Sequence, residues 1–399
     1  MDNLVASLAT DGPGKIVLVV MDGLGGIRTA ASGSELAEAR TPDLDRLAGE
    51  GSSGLHTVVA PGITPGSGAG HLALFGYDPL VYQLGRGVLS AAGVGFDLTP
   101  GDVAARVNFC TLDGSGAVVD RRAGRISDEV NRRLCRAIRE HLDLGGKAEV
   151  FLETERDHRA LLVLRGEGLS PKVADTDPQI TGALPKDPEA LVPEAGPTAA
   201  LLSEALTQIR SILAGERANF ILLRGFDSLR ELPSFGDRYR LRAVGVAAYP
   251  MYLGIARLLG MASVASPPVF AGTVDAVEQA WEAHSFFYVH YKKTDSSGED
   301  GNFEAKVSAI EEVDAEMPRI EALGPEVICV TGDHATPSQL RAHSWHPVPF
   351  LMWGPRVGVD SVSRFDEEAA RVGAFGLQSA KDLMALMLAA AGRLAKFGA

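Results

Sequence analysis

Six consecutive residues, Lys15-Ile16-Val17-Leu18-Val19-Val20, limit the folds open to this chain more than anything else in it. The run is continuous and rich in β-branched side chains, with no polar alternation. That pattern predicts a strand buried on both faces, and so a parallel strand inside an α/β sheet. It ends at Met21-Asp22-Gly23, which puts an aspartate at the strand's carboxyl end, the edge where open α/β sheets bind ligands. A helix is expected from about Thr41, with threonine as N-cap and Pro42 in the first turn. Further strands are expected at 220–223, 286–290 and 327–331, and helices at 127–141, 198–214, 303–323 and 379–396. Strands alternating with helices indicate a doubly wound α/β sheet. Residues 175–197 carry five prolines and little periodicity, and read as a connector.

Composition narrows the classes of partner. The chain has 399 residues, 46% hydrophobic and 22% charged, which suits a globular protein with full-sized cores. Its apolar runs fall far short of the ~20 residues that a membrane-spanning helix needs. A net charge of −13, from 38 basic and 51 acidic residues, sets it against nucleic acid and anionic membranes as partners. No basic-then-apolar leader follows Met1, and Cys110, Cys135 and Cys329 are scattered with no CxxC pair. The expected setting is the reducing cytoplasm, with neither a disulfide scaffold nor a zinc knuckle.

Four segments are dense in metal-ligand chemistry: Asp22-Gly23; Gly66-Ser67 through His71; Lys293-Thr294-Asp295 through Glu299; and Asp333-His334 followed by His343 and His346. Each is expected at a strand end or in the loop after it, so residues distant in sequence converge on one sheet edge. Carboxylates with imidazoles and without thiolates suit zinc, manganese or magnesium, and a pair of such ions forms the clamp used in phosphoryl displacement. Ser67 sits among small residues just before an expected helix start at His71-Leu72, where free N–H groups favour a phosphate. A serine hydroxyl needs activation to act as a nucleophile, and the bland alternative is that Ser67 only caps that helix. A nucleotide-loop reading of the same glycines fails, because no Gly-Lys followed by Ser or Thr occurs.

Basic residues gather in mid-chain: Arg106, Arg121, Arg122 and Arg125, then His158-Arg159 and Arg224. Guanidinium groups bind phosphate and carboxylate bidentately, and the turn Asp120-Arg121-Arg122-Ala123-Gly124-Arg125 is the best anion-site candidate among them. Arg132, Arg133 and Arg136 read instead as a solvated helix face.

Together these segments make the chain resemble the archaeal-type cofactor-independent phosphoglycerate mutases of the alkaline phosphatase superfamily. The markers run almost end to end and include Val19-Val20-Met21-Asp22-Gly23, Pro65-Gly66-Ser67, His71 through Pro79, Asp120 through Ser127, Asp175-Thr176-Asp177-Pro178, Thr294-Asp295, Thr331-Gly332-Asp333-His334 and His343-Ser344. The resemblance implies an alkaline-phosphatase-like α/β domain at 1–88 and 240–399, interrupted by an inserted α/β lid at 89–239. It implies one divalent metal on Asp22, Ser67, Asp333 and His334, a second on Asp295, Glu299 and His343, and no 2,3-bisphosphoglycerate. Ser67 would carry the phosphoryl group. Arg106, Asn108, Arg121, Arg122, Arg125, His158, Arg159, Arg224 and Lys292 would bind a small phosphorylated carboxylic acid. The implied activity is interconversion of 2- and 3-phosphoglycerate. Four positions depart from the family pattern: Glu299 stands for a histidine, Gly68 for an aspartate, Gln179 for a histidine and Leu253 for a lysine. Beside the mutase stand two alternatives, a divergent enzyme acting on another phosphate or phosphonate and a catalytically silent binding protein.

Overall fold

The structure, a computed structural model, describes residues 2–29 and 32–398. Its strands, in chain order, are β1 (Ile16–Met21) and β2 (Ser52–Thr57), then β3 (Val103–Leu112), β4 (Val118–Asp120), β5 (Glu149–Arg156), β6 (Arg159–Arg165) and β7 (Phe220–Asp227). After them come β8 (Ala243–Ala247), β9 (Ala262–Ala265), β10 (Phe286–Tyr291), β11 (Val327–Thr331), β12 (Val348–Trp353) and β13 (Gly376–Ser379). The chain forms two compact units. One is built from the segments up to Gln83 and from Leu232 onward, the other from Leu84–Glu231.

The first unit holds an eight-stranded sheet in the order β13-β2-β12-β11-β1-β10-β8-β9. Every residue of β1, β10 and β11 is buried, as expected of unbroken apolar strands. β1 pairs in parallel with both neighbours, β10 and β11. Their carboxyl ends therefore share one edge, and the loops leaving it begin with Asp22, Lys292 and Gly332-Asp333. β12 runs antiparallel to β11, so the segment entering it, with His343, reaches that same edge. β2 is antiparallel to β12, and its exit leads to the loop before Ser67. The fold thus brings all the expected metal-site residues to one rim.

The second unit carries its own sheet, β5-β6-β3-β7, antiparallel throughout, with β4 on the end of β3. Its core joins β3, β6 and β7 to residues such as Leu134, Ile138, Leu202 and Ile209. The units divide earlier at both ends than 88/89 and 239/240. Helix Arg86–Val94 packs on β3 and β7, whereas helix Phe235–Tyr239 packs Phe235 edge-on to Phe75 and against Phe286 of the first unit.

Some local expectations need correcting. The helix expected over 303–323 is two, Phe303–Asp314 and Met317–Ala322, and Pro318 falls in the first turn of the second, where its missing N–H costs nothing. The last helix stops at Ala390, because Gly392 adopts a left-handed φ of 66° just beyond it. Thr41 is the N-cap of helix Pro42–Gly49, but its side chain makes no capping hydrogen bond.

Candidate active site

Asp22, Asp333 and His334 are fully buried at the sheet's rim, and one ligand atom of each lies within 4.8 Å of the others. His334 Nε2 is 3.3 Å from Asp22 Oδ1, 3.3 Å from Asp333 Oδ2 and 3.3 Å from Ser67 Oγ. The helix expected to start near His71 begins earlier, at Ser67, with Gly66 as its N-cap. Ser67 makes no capping bond, so its hydroxyl is not used up in the way the bland alternative required. Two glycines permit this crowding. A Cβ on Gly70 would lie 2.3 Å from the Asp333 carbonyl oxygen, so only glycine lets the helix come this close. Gly23, with φ at 66°, would clash with Thr336 Oγ1 at 2.5 Å.

Hydrogen bonding fixes the tautomers. The Thr336 hydroxyl donates to Asp295 Oδ1 at 2.6 Å, so at 3.0 Å it accepts from His334 Nδ1–H. His334 Nε2 is then the nitrogen that faces Ser67, Asp22 and Asp333. His343 Nδ1–H donates to the Pro65 carbonyl at 3.0 Å, which leaves its Nε2 facing Asp295 Oδ1 at 3.7 Å and Glu299 Oε1 at 3.8 Å. Asp295, His334 and His343 also lie within ligating reach of one another. His334 has only Nε2 free, however, and Nε2 points to Asp22.

The electrostatics are those of a site short of positive charge. Asp22, Asp295 and Asp333 are three buried carboxylates, and among them lies one ammonium, Lys292, bonded to Asp22 Oδ2 and Asp295 Oδ2. With His334 neutral, as metal ligation requires, the balance of −3 + 1 is −2. Burial opposes the charge of Asp22, yet Lys292, a hydrogen bond from His290 and the nearby His334 hold its carboxyl well below the usual range. Burial likewise opposes protonation of His334, but Asp333, Asp22 and Asp295 outweigh it and raise the imidazole to about 9. Asp22 Oδ1 and Asp333 Oδ2 are buried without a hydrogen-bond donor. Carboxylate oxygens without donors, an inward imidazole nitrogen and three buried carboxylates against one ammonium together fit a divalent cation.

The second unit has a cationic face of its own. In register, Arg106 of β3 pairs with Arg224 of β7, and Asn108 of β3 with Arg159 of β6, so all four share one face. Arg106 Nε, Asn108 Oδ1, His158 Nδ1 and Arg224 Nε are buried without hydrogen-bond partners. Burial, then Arg86 and Arg159, push Arg106 down to about 10. Burial, then Arg159, Arg122, Arg106 and Arg125, push His158 down to about 4. Arg121 is engaged by Asp177 in a bidentate pair, with Nη2 at 2.7 Å. Arg122 and Arg125 are exposed, as are Arg132, Arg133 and Arg136 on helix Asp128–His141. Lys292 belongs to the first unit and lies within its carboxylate cluster.

Comparison with known proteins decides the family. A protein from Thermus thermophilus named "Probable 2,3-bisphosphoglycerate-independent phosphoglycerate mutase" is 47% identical over 401 residues, 99% of either chain. One of the same name from Thermotoga maritima is 44% identical over 396 residues, covering 99% of this chain and 98% of its own. The family profile described as 2,3-bisphosphoglycerate-independent phosphoglycerate mutase matches residues 48–219. This chain belongs to that family. A solved cofactor-independent phosphoglycerate mutase from Thermoplasma acidophilum is 31% identical with a TM-score of 0.69, covering 95% of this chain and 100% of its own. A solved structure from Pyrococcus horikoshii is 27% identical with a TM-score of 0.83, covering 97% and 99%. Among the described residues, no helix is long and apolar enough to cross a membrane.

Within this mutase fold the four departures have distinct settings. Glu299 is half-exposed, with its carboxylate toward His343. Gly68, the second residue of helix Ser67–Leu74, adds no side chain there. Gln179 is exposed in a left-handed turn at φ 65°. Leu253 is buried beside Tyr252, and the ammonium over the Tyr252 ring, at 5.6 Å, is that of Lys292. Sequence reasoning missed Arg86, which adds its charge to the arginine face. Its signal was Gly87, where a Cβ would lie 2.1 Å from the Ala104 carbonyl oxygen and so marks a helix pressed onto β3. It also missed His290, whose Nε2 lies 3.0 Å from Asp22 Oδ2, the oxygen turned away from His334.

Proposed function

We propose that this chain interconverts 2- and 3-phosphoglycerate through a phosphoserine at Ser67, in the cytoplasm and without 2,3-bisphosphoglycerate. The observation that carries the reading is the Ser67 hydroxyl, 3.3 Å from His334 Nε2, in a pocket where three buried carboxylates meet one ammonium. Asp22, Asp333, His334 and Ser67 would hold one divalent ion, and Asp295, His343 and Glu299 another, with manganese, zinc or magnesium as the candidates. Ions bound there lower the pKa of a coordinated hydroxyl and neutralise phosphoryl charge.

The chain's own groups do the rest. Ser67 Oγ gives up its proton and bonds to phosphorus as the bond to the substrate's ester oxygen breaks and that oxygen takes up a proton. The other hydroxyl of the same glycerate then loses its proton and attacks the phosphoserine, and Ser67 Oγ leaves phosphorus and regains a proton. The first-turn N–H groups of helix Ser67–Leu74 face the transferring phosphoryl oxygens. Arg106, Asn108, Arg159, Arg224 and His158 recognise the anionic ends of the substrate, with Arg121, Arg122 and Arg125 adding positive field. Lys292 keeps Asp22 and Asp295 together while carrying charge for a bound phosphate.

The test is 3-phosphoglycerate with manganese, coupled to enolase, with no 2,3-bisphosphoglycerate added. Formation of 2-phosphoglycerate supports the reading. Release of inorganic phosphate with no isomer overturns it in favour of a hydrolase.

A further inference from the structure

Lys306 lies outside the ligand sets and is one of the largest fully buried side chains in the molecule. An ammonium has three N–H groups, and here each has a backbone carbonyl: Gly23 O at 2.9 Å, Gly25 O at 3.2 Å and Thr336 O at 2.9 Å. Those carbonyls belong to two different loops, the one that follows Asp22 and the one that follows His334. Further hydrogen bonds tie the same loops together, with Thr336 N–H donating to Gly23 O and Gly25 O and Gly23 N–H donating to the Asp333 side chain at Oδ1. Thr336 is the pivot. Its carbonyl accepts from Lys306, while its hydroxyl orients both His334 and Asp295.

The counter-charge is built in as well. Glu35 is buried with Oε2 4.0 Å from the ammonium and otherwise unbonded, while its Oε1 accepts from Ser338 N–H farther along the His334 loop. Glu367 accepts from Gly26 N–H on the Asp22 loop and from the Ser34 hydroxyl. A helix–loop contact needed only for packing would be met by an apolar side chain. A buried ammonium saturated by carbonyls from two ligand-bearing loops instead acts as a fixed cation that sets their spacing.

We infer that Lys306 is a positioning residue for the metal pocket: by pinning Thr336 to Gly23 and Gly25 it sets the separation of Asp22 from His334, and so the affinity for a divalent ion. This rests on the metal-dependent reading proposed above. The experiment is calorimetric titration of the full-length, metal-stripped protein with manganese, together with the visible absorption of the cobalt-loaded protein, which reports ligand geometry. Lys306→Met should stay folded by circular dichroism, bind manganese about 10- to 100-fold more weakly and shift the cobalt bands. A folded Lys306→Met that matches the wild type in both readouts overturns the inference. Should Lys306→Met fail to fold, Lys306→Gln, which keeps two donors but no charge, is judged by the same two criteria. Wild-type protein that takes up no manganese overturns the metal reading, and the inference with it.

Discussion

Replacing Arg106 with methionine should stabilise the protein while crippling it. Arg106 is held among Arg86, Arg159 and Arg224, its Nε has no partner, and burial followed by those neighbours lowers its pKa to about 10. Against an ordinary value near 12.5, that is a penalty of ~3 kcal/mol on the charged form, at about 1.4 kcal/mol per unit. Methionine keeps most of the stem's packing and removes the charge, so part of the penalty is recovered, about 1–2 kcal/mol after lost contacts. For a 399-residue chain that raises the melting temperature by about 1–3 °C. The assay is thermal unfolding with and without 3-phosphoglycerate. The wild type should gain stability from the ligand by mass action, and the variant should start higher but gain little. If Arg106→Met melts below the wild type, or gains equally from the ligand, the guanidinium is structural and the arginine face is not an anion site.

Three further outcomes follow from particular side chains. In metal-free protein at pH 7.5, His334, raised to about 9, carries a proton that ligation must displace. Manganese binding should release about one proton there, read by calorimetry in buffers of different ionisation enthalpy, and release should fade above pH 9; no release at pH 7.5 counts against His334 as a ligand. His56 is buried and bonded through Nε2 to the Thr331 hydroxyl, and burial lowers it to about 4. The unfolded chain therefore protonates first, so this contribution is complete above pH 6.5 and is lost as the pH falls toward 4, up to ~3 kcal/mol; denaturant midpoints of wild type and His56→Gln across that window should converge, and parallel curves refute it. Glu299→His should move metal preference from manganese toward zinc and cobalt, and an unchanged activity profile across the three ions removes Glu299 from the second site.

How much of this was legible in the sequence depends on what kind of signal each element carries. β1, β10 and β11 announce themselves because strands buried on both faces must be apolar throughout, and Asp22 and Asp333 follow directly from the ends of β1 and β11. β2, Ser-Ser-Gly-Leu-His-Thr, has no such run, yet it is buried between β12 and β13, since the neighbouring strands supply its environment. The antiparallel β3 and its arginine face were readable as composition but not as geometry: the facing of Arg106 and Arg224 is a matter of register, fixed by pairing across more than a hundred residues of chain. Thr336 and Lys306 were invisible for a different reason. One looks like a turn residue and the other like a charge on an amphipathic helix, and both act through backbone carbonyls, which leave no mark in side-chain patterns. Lys292 was legible as a cation near an anion site, whereas its lodging between Asp22 and Asp295 emerges only when two strand ends meet.

The measurement that bears hardest on the account is mass spectrometry of peptides from protein quenched in acid during turnover of 3-phosphoglycerate with manganese. One phosphoryl group on Ser67, absent without substrate and absent along with turnover in Ser67→Ala, is the expected result. Phosphate on another residue, or a Ser67→Ala protein that still isomerises the substrate, would contradict it.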